Sequence, residues 1–175
     1  PETLEKKQSS NNQMVELLSA LEEVNDTKFI FTLPNADTHN LKITKMIEKF
    51  HAQYPSKSVL FSSLGQLKFL STLKYIDGMI GNSSSGLLEA PSFKIGTVNL
   101  GDRQTGRLKS KSVIDSTFKK KNILRSIETL YSTSFQKNLL TVTNPYGDPG
   151  ASKKILSKIK TVSLQNLIKK KFYDA

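Results

Sequence analysis

The chain contains no cysteine. That excludes a disulfide framework, a cysteine nucleophile and every cysteine-based zinc site, and it fits a reducing compartment. No apolar run approaches the ~18–20 residues that would span a bilayer as a helix. The opening stretch Pro1-Glu2-Thr3-Leu4-Glu5-Lys6-Lys7 has no apolar core of the kind a secretory signal needs, so the expected location is the cytoplasm. Histidine is scarce too. His39 and His51 stand alone, without the spacing of metal ligands, so no metal site and no cofactor are expected. No Ser-His-Asp set or nucleophile elbow occurs. The sequence opens at Pro1 rather than at a methionine and reads as a piece of a longer chain.

Acidic residues are few: 15, against 26 Lys and Arg, for a net charge of +11. Such a chain expects anionic company, whether phosphate, nucleic acid or an acidic partner. The excess is uneven. The first 27 residues hold six acids and two lysines, whereas Arg103 to Arg125 hold eight basic residues and the single acid Asp115. Lys153 to Lys171 hold seven lysines and no acid. For each lysine cluster the plainer reading is a solvated helix face. The length, 175 residues, suffices to bury a core without staples.

The apolar residues alternate between two periods. Val15, Leu17, Leu18, Leu21 and Val24 predict a helix over about Asn11 to Glu23. The run Phe29 to Leu33, stopped by Pro34, predicts a buried strand. A second helix carries Leu41, Ile43, Met46, Ile47 and Phe50, with Asp37 or Thr38 as its cap. Then come a strand at Val59 to Phe61, a helix from Gly65 to Lys74, a strand at Gly78 to Ile80, a helix begun by Leu87 to Ala90 and cut by Pro91, and a strand at Ile95 to Asn99. Helices are further expected over Lys119 to Tyr131, Ala151 to Ile159 and Leu164 to Phe172. Four strands alternating with helices, each a continuous apolar run, predict an α/β fold: one parallel sheet with helices on both faces.

Ligands of open parallel sheets bind beyond the C-terminal ends of the strands. The segments there are Pro34 to Asp37, Ser62 to Gln66, Gly81-Asn82-Ser83-Ser84-Ser85-Gly86 and Gly101 to Arg107, all polar or glycine-rich. In the third, small residues admit close approach, free N–H groups and the following helix suit an anion, and the Ser83 and Ser84 hydroxyls add donors. It is neither a Walker loop nor a dinucleotide fingerprint. Glu89 lies one turn into that helix, where a carboxylate either complements the dipole or accepts ribose hydroxyls. Arg103 and Arg107 offer planar forks suited to phosphate, or serve as surface charge. Asp37 reads as a helix cap before a catalytic acid, and Tyr131, Phe135 and Tyr146 as packing residues.

Taken in order, the stretches Phe31 to Asp37, Ser63-Leu64-Gly65-Gln66, Ile80 to Gly86, Glu89-Ala90-Pro91-Ser92-Phe93, Gly101-Asp102-Arg103-Gln104 with Gly106-Arg107, and the ending Lys171-Phe172-Tyr173-Asp174 resemble the C-terminal domain of the hydrolysing UDP-N-acetylglucosamine 2-epimerases. The resemblance covers nearly the whole chain. It implies a glycosyltransferase-B type fold, two Rossmann-like domains around a cleft, with residues 1–175 as the nucleotide-binding half and the N-terminal domain absent. It implies that Ser83 and Ser84 hold the diphosphate, Glu89 accepts the ribose hydroxyls, Asn35 and Leu64 line the uridine region, and Arg103 contacts phosphate, with Arg107 in the same motif. The implied reaction is anti elimination of UDP to a 2-acetamidoglucal, then addition of water to give N-acetylmannosamine, in sialic-acid and related synthesis. Serines and arginine would stabilise charge on the leaving diphosphate.

Relative to that family, a strand and a histidine just before the position of Pro1 are missing, as is the domain carrying the acid/base carboxylates. The catalytic residues are therefore unknown from this chain, and the chain alone is expected to be inactive. Its implied partners are UDP, UDP-N-acetylhexosamines and the N-terminal domain of the same enzyme; a homo-oligomer is left open, and no membrane is expected. A basic nucleic-acid-binding domain is the first alternative. It lacks aromatics interleaved with the lysines, so nucleic acid is disfavoured. A nucleotide-sugar sensor using the same pocket without catalysis is the second.

Overall fold

A computed structural model describes residues 10–34, 40–147 and 149–163. The chain forms two compact units, Pro1–Pro145 and Tyr146–Ala175. The first contains helix α1 (Ser10–Glu23), strand β1 (Phe29–Thr32), α2 (Asn40–Gln53), β2 (Ser58–Phe61), α3 (Gly65–Thr72), β3 (Gly78–Gly81), α4 (Ser85–Leu88), a 3-10 turn (Ala90–Phe93), β4 (Gly96–Leu100), β5 (Val113–Ser116), α5 (Lys120–Tyr131) and α6 (Thr133–Leu139). The second contains α7 (Ala151–Thr161). The expected caps Asp37 and Thr38, the expected helix at Leu164 to Phe172 and the ending Lys171 to Asp174 lie outside the described residues.

Every strand pairing among the described residues is parallel, and the fold is the expected α/β. Among the described residues the strands pair in two groups, β1 with β2, and β3-β4-β5 with β4 in the middle. The alternation of side chains explains how the second sheet is covered. Val98 and Leu100 of β4, with Ile80 and Ile114, pack on Ala20 of α1 and on Ile123 and Leu130 of α5. Met79, next to Ile80, points the other way and packs with Leu73, Ala90 and Ile95, beside Phe69 of α3 and Phe93. Neighbouring strand residues face opposite sides, so helices cover both faces. Leu100 and Ile123 are fully buried, and each contributes roughly 1.5–3 kcal/mol by leaving water.

α1 packs against both α2 and α5. On one flank the Tyr54 hydroxyl donates to the Glu22 carboxylate, and Lys57 Nζ donates to the Glu22 carbonyl at 2.8 Å. Phe50 meets Phe31 of β1 edge-on, 5.6 Å between centroids. On the other flank the Lys120 N–H donates to Glu16 Oε2 at 2.6 Å, and Lys120 Nζ pairs with Glu23 at 2.5 Å. The acids concentrated early in the chain thus meet one of the basic clusters.

Two elements are absent from the sequence reading. β5 has only two apolar residues, Val113 and Ile114, before Asp115, and no run marks it. α6 is short, with Ser132 as its cap: the Ser132 hydroxyl accepts from the Phe135 N–H at 3.3 Å. In the second unit α7 runs two residues beyond the expected Ile159, and all its residues are exposed.

Candidate nucleotide-binding site

Parallel register sets the rim. Gly81, Asn99 and Asp115 stand abreast at the C-terminal ends of β3, β4 and β5. The loops that follow β3 and β4, carrying the serines and the arginines, therefore leave the sheet on the same edge.

The first loop starts at Gly81, whose φ of +146° is a conformation L side chains rarely adopt. Ser83 Oγ accepts the Ser85 N–H at 3.3 Å, and the Leu87 and Leu88 N–H groups both bond the Ser84 carbonyl at 2.9 Å. The N–H groups of Ser83 and Ser84 find no acceptor among the described residues. Gly86 is seated against β4: Thr97 Oγ1 donates to the Gly86 carbonyl at 3.1 Å. The helix expected to run through Glu89 ends at Leu88, and the chain turns into the 3-10 segment with Pro91 in its first turn. A four-residue helix supplies little dipole. Backbone N–H groups and hydroxyls, rather than a helix end, are what this loop offers an anion.

Glu89 sits at the junction of the two helical pieces. Its Oε2 is buried and accepts no hydrogen bond among the described residues. A buried carboxylate oxygen without a donor costs about 1–3 kcal/mol or more, which an incoming hydroxyl would relieve.

The second loop, after β4, is tied to the sheet by the Gly101 N–H, bonded to the Ser116 carbonyl at 2.8 Å. Arg103 and Arg107 are exposed and have no acidic partner among the described residues. Between them Gln104 is only 2% exposed, and its Nε2 donates to the Asn82 carbonyl at 2.8 Å. That bond joins the arginine loop to the serine loop. Ser83, Ser84, Arg103 and Arg107 are thus on loops brought to one edge, and Glu89 follows the serine loop one turn on, its N–H bonded to the Ser85 carbonyl at 3.0 Å.

Leu64 follows β2, in the other sheet, and leads into α3, with the Gly65 N–H bonded to Ser63 Oγ at 3.1 Å. No hydrogen bond joins it to the serine loop among the described residues. Asn35 lies outside the described residues.

Sequence reasoning missed a buried polar group beneath the rim. Asn99 is 1% exposed, and its Nδ2 donates to Asp115 Oδ1 at 2.7 Å. Lys109 Nζ donates to both Asp115 oxygens, at 2.7 and 2.8 Å. A polar residue inside the apolar run Val98-Asn99-Leu100 was the available signal. Burial pushes the Asp115 carboxyl up, but the hydrogen bonds from Lys109 and Asn99 and the Lys109 charge outweigh it, so its pKa is lowered. A depressed folded-state pKa contributes stability above the unfolded value of about 4, lost as pH falls through the folded one. Lys109→Met should therefore destabilise the protein near neutrality by under ~1 kcal/mol, because the pair is partly exposed, and lower the melting temperature slightly. The gap to wild type should close on acidification. Identical melting curves from pH 2 to 7 would refute the pairing.

The family model described as UDP-N-acetylglucosamine 2-epimerase matches residues 1–160. The chain belongs to the UDP-N-acetylglucosamine 2-epimerase family. It is 39% identical, over 99% of its length, to polysialic acid biosynthesis protein P7 of Escherichia coli, of which it covers 44%. It is 37% identical, over 95% of its length, to the hydrolysing GDP/UDP-N,N'-diacetylbacillosamine 2-epimerase of Campylobacter jejuni, of which it covers 43%. The chain thus spans less than half the length of these relatives. Among solved structures, the epimerase of Neisseria meningitidis bound to UDP-GlcNAc superposes with a TM-score of 0.63 at 19% identity, covering 86% of this chain and 41% of that one. The MnaA–UDP structure from Staphylococcus aureus gives 0.68 at 20% identity, covering 86% and 40%. Those structures share the α/β fold of this chain, which covers about two-fifths of each. No helix among the described residues of this family member is long and apolar enough to cross a membrane.

Proposed function

We propose that this chain is the UDP-binding half of a cytoplasmic, hydrolysing 2-epimerase acting on a UDP-N-acetylhexosamine. Ser83 and Ser84 would receive the diphosphate on N–H and hydroxyl groups, Arg103 would neutralise it, and Glu89 would accept the ribose hydroxyls. The observation that carries the reading is the buried, unpartnered Glu89 Oε2 next to a serine loop with unengaged N–H groups. A diol-bearing anion satisfies both. Asn35 and Leu64 would line the base, and Arg107 would reinforce the positive rim.

The reaction under this reading breaks the sugar C1–oxygen bond and removes the proton at C2, giving UDP and a 2-acetamidoglucal. Water then adds across the double bond to yield the 2-epimer. Negative charge builds on the departing diphosphate, where preorganised donors lower the barrier most. The carboxylates that move protons would come from a partner domain. The relatives' greater length supports this.

The test has two arms. The 175-residue chain should bind UDP in calorimetry yet turn over no UDP-N-acetylglucosamine or UDP-N,N'-diacetylbacillosamine. In the full-length enzyme, Glu89→Ala should lower kcat/KM by about 10- to 30-fold, the loss expected for one hydrogen-bonded charged group. Turnover by the chain alone would refute the half-enzyme reading. Normal kinetics of Glu89→Ala would refute the site.

A further inference from the structure

Gln104 lies between two exposed arginines in a loop whose other side chains, from Asp102 to Lys109, are exposed. A long polar side chain buried there needs a reason. Its amide nitrogen reaches across to the main chain of the serine loop, donating to the Asn82 carbonyl at 2.8 Å. Only the nitrogen end of the amide suits that position, because the oxygen end would set two acceptors against each other. Its Oε1 is buried and has no donor among the described residues. A side chain that keeps one acceptor unsatisfied, at a cost of about 1–3 kcal/mol, is held in place by what its other end does.

The bond sits at a sensitive point. Asn82 follows Gly81, where the chain departs from β3, and precedes the unengaged N–H groups of Ser83 and Ser84. Fixing the Asn82 carbonyl fixes the peptide plane that carries the Ser83 N–H. The same side chain anchors the loop bearing Arg103. We infer that Gln104 is a positioning residue: a buried amide clamp that aims the Ser83 and Ser84 N–H groups and Arg103 at one diphosphate. The inference rests on the proposed UDP site and adds the element that aligns its two loops.

The clamp predicts a chemical rescue. In the full-length protein, Gln104→Leu should weaken UDP binding about tenfold or more at every pH, with little change in melting temperature. Gln104→Glu presents a carboxylate to the Asn82 carbonyl at high pH and should bind UDP about tenfold more weakly than wild type at pH 8. Burial raises such a carboxyl's pKa. Once protonated, its O–H donates where the amide did. At pH 5.5 Gln104→Glu should return to within about threefold of wild type at the same pH. The other charged groups of the two loops, Asp102, Arg103, Arg107, Lys109 with its partner Asp115, and Glu89, are present in both proteins, so the comparison isolates position 104.

A ligand-free measurement separates this inference from the proposed function. Amide exchange at Ser85 to Leu88, whose N–H groups are bonded to Ser83 and Ser84, should be about fivefold or more faster in Gln104→Leu than in wild type, with exchange in α5 unchanged. If wild type binds no UDP, the ligand assignment fails and the exchange result alone decides the clamp. Wild-type exchange in the loop, wild-type UDP affinity of folded Gln104→Leu, or no recovery of Gln104→Glu at low pH each overturns it. Should Gln104→Leu fail to fold, Gln104→Glu is compared with wild type in both measurements.

Discussion

Gly86→Ala should destabilise the protein by roughly 2–4 kcal/mol, and Gly86→Val by more, because Gly86 is buried in α4. A Cβ on Gly86 would stand 2.4 Å from Thr97 Cγ2, far inside contact distance. Thr97 cannot easily yield. It is 3% exposed, on a strand buried along its whole length, and its hydroxyl is committed to the Gly86 carbonyl. Rotating it away would break that bond and leave a buried carbonyl unsatisfied. For a chain of this size the melting temperature should fall by roughly 5–15 °C. The double variant Gly86→Ala/Thr97→Ala should recover part of the loss, because removing Cγ2 opens the space the new methyl needs. Urea unfolding of the four proteins measures both effects. A Gly86→Ala protein within 2 °C of wild type would show that the serine loop is not seated on β4 as described.

Arg103→Ala should lower kcat/KM of the full-length enzyme by about 10- to 100-fold, the largest activity loss expected from one side chain here. Arg103 is exposed and without an acidic partner among the described residues, so its charge is available to a ligand. Its loop is anchored from below by Gln104 and by the Gly101 bond to Ser116. Arg103→Lys should keep the charge but lose the fork, and recover only part of the activity. Changing Lys119 and Lys121 to alanine together should leave kcat/KM within about twofold, because Lys119 caps α5 and Lys121 lies in its first turn, and neither side chain is bonded to the serine or arginine loop among the described residues. Equal losses in the arginine and lysine variants would mean that net charge, not the site, attracts the substrate. Full activity of Arg103→Ala would remove Arg103 from it.

Most of the fold was legible. The strands at Phe29, Val59, Met79 and Val98 are continuous apolar runs, and α1, α2 and α5 carry clear helical periodicity. β5 was illegible because an edge strand needs few apolar residues: Val113 and Ile114 pack, while Asp115 serves Lys109 and Asn99. The pairing of the strands in two groups was illegible as well, because runs such as Phe29 to Thr32 specify burial and not which strand lies alongside. The length of α4 was misjudged. Pro91 signalled an end, but the chain had already turned at Glu89 to enter a 3-10 segment.

The sequence by itself determined which segments gather at one rim of the sheet. Polar, small-residue segments directly after apolar strands must gather at one rim of a parallel sheet, so Ser83, Ser84, Arg103 and Arg107 were identifiable before any coordinate. Only the tertiary structure decided how the site is held. That Gln104 is buried and bonded to Asn82, that Glu89 keeps an unpartnered oxygen, and that Asn99 and Asp115 stand beneath the rim all follow from contacts between residues up to 22 positions apart. Hydrophobic periodicity records which residues leave water. It carries no record of which buried polar group finds which partner, because that depends on the register of strands and the path of loops.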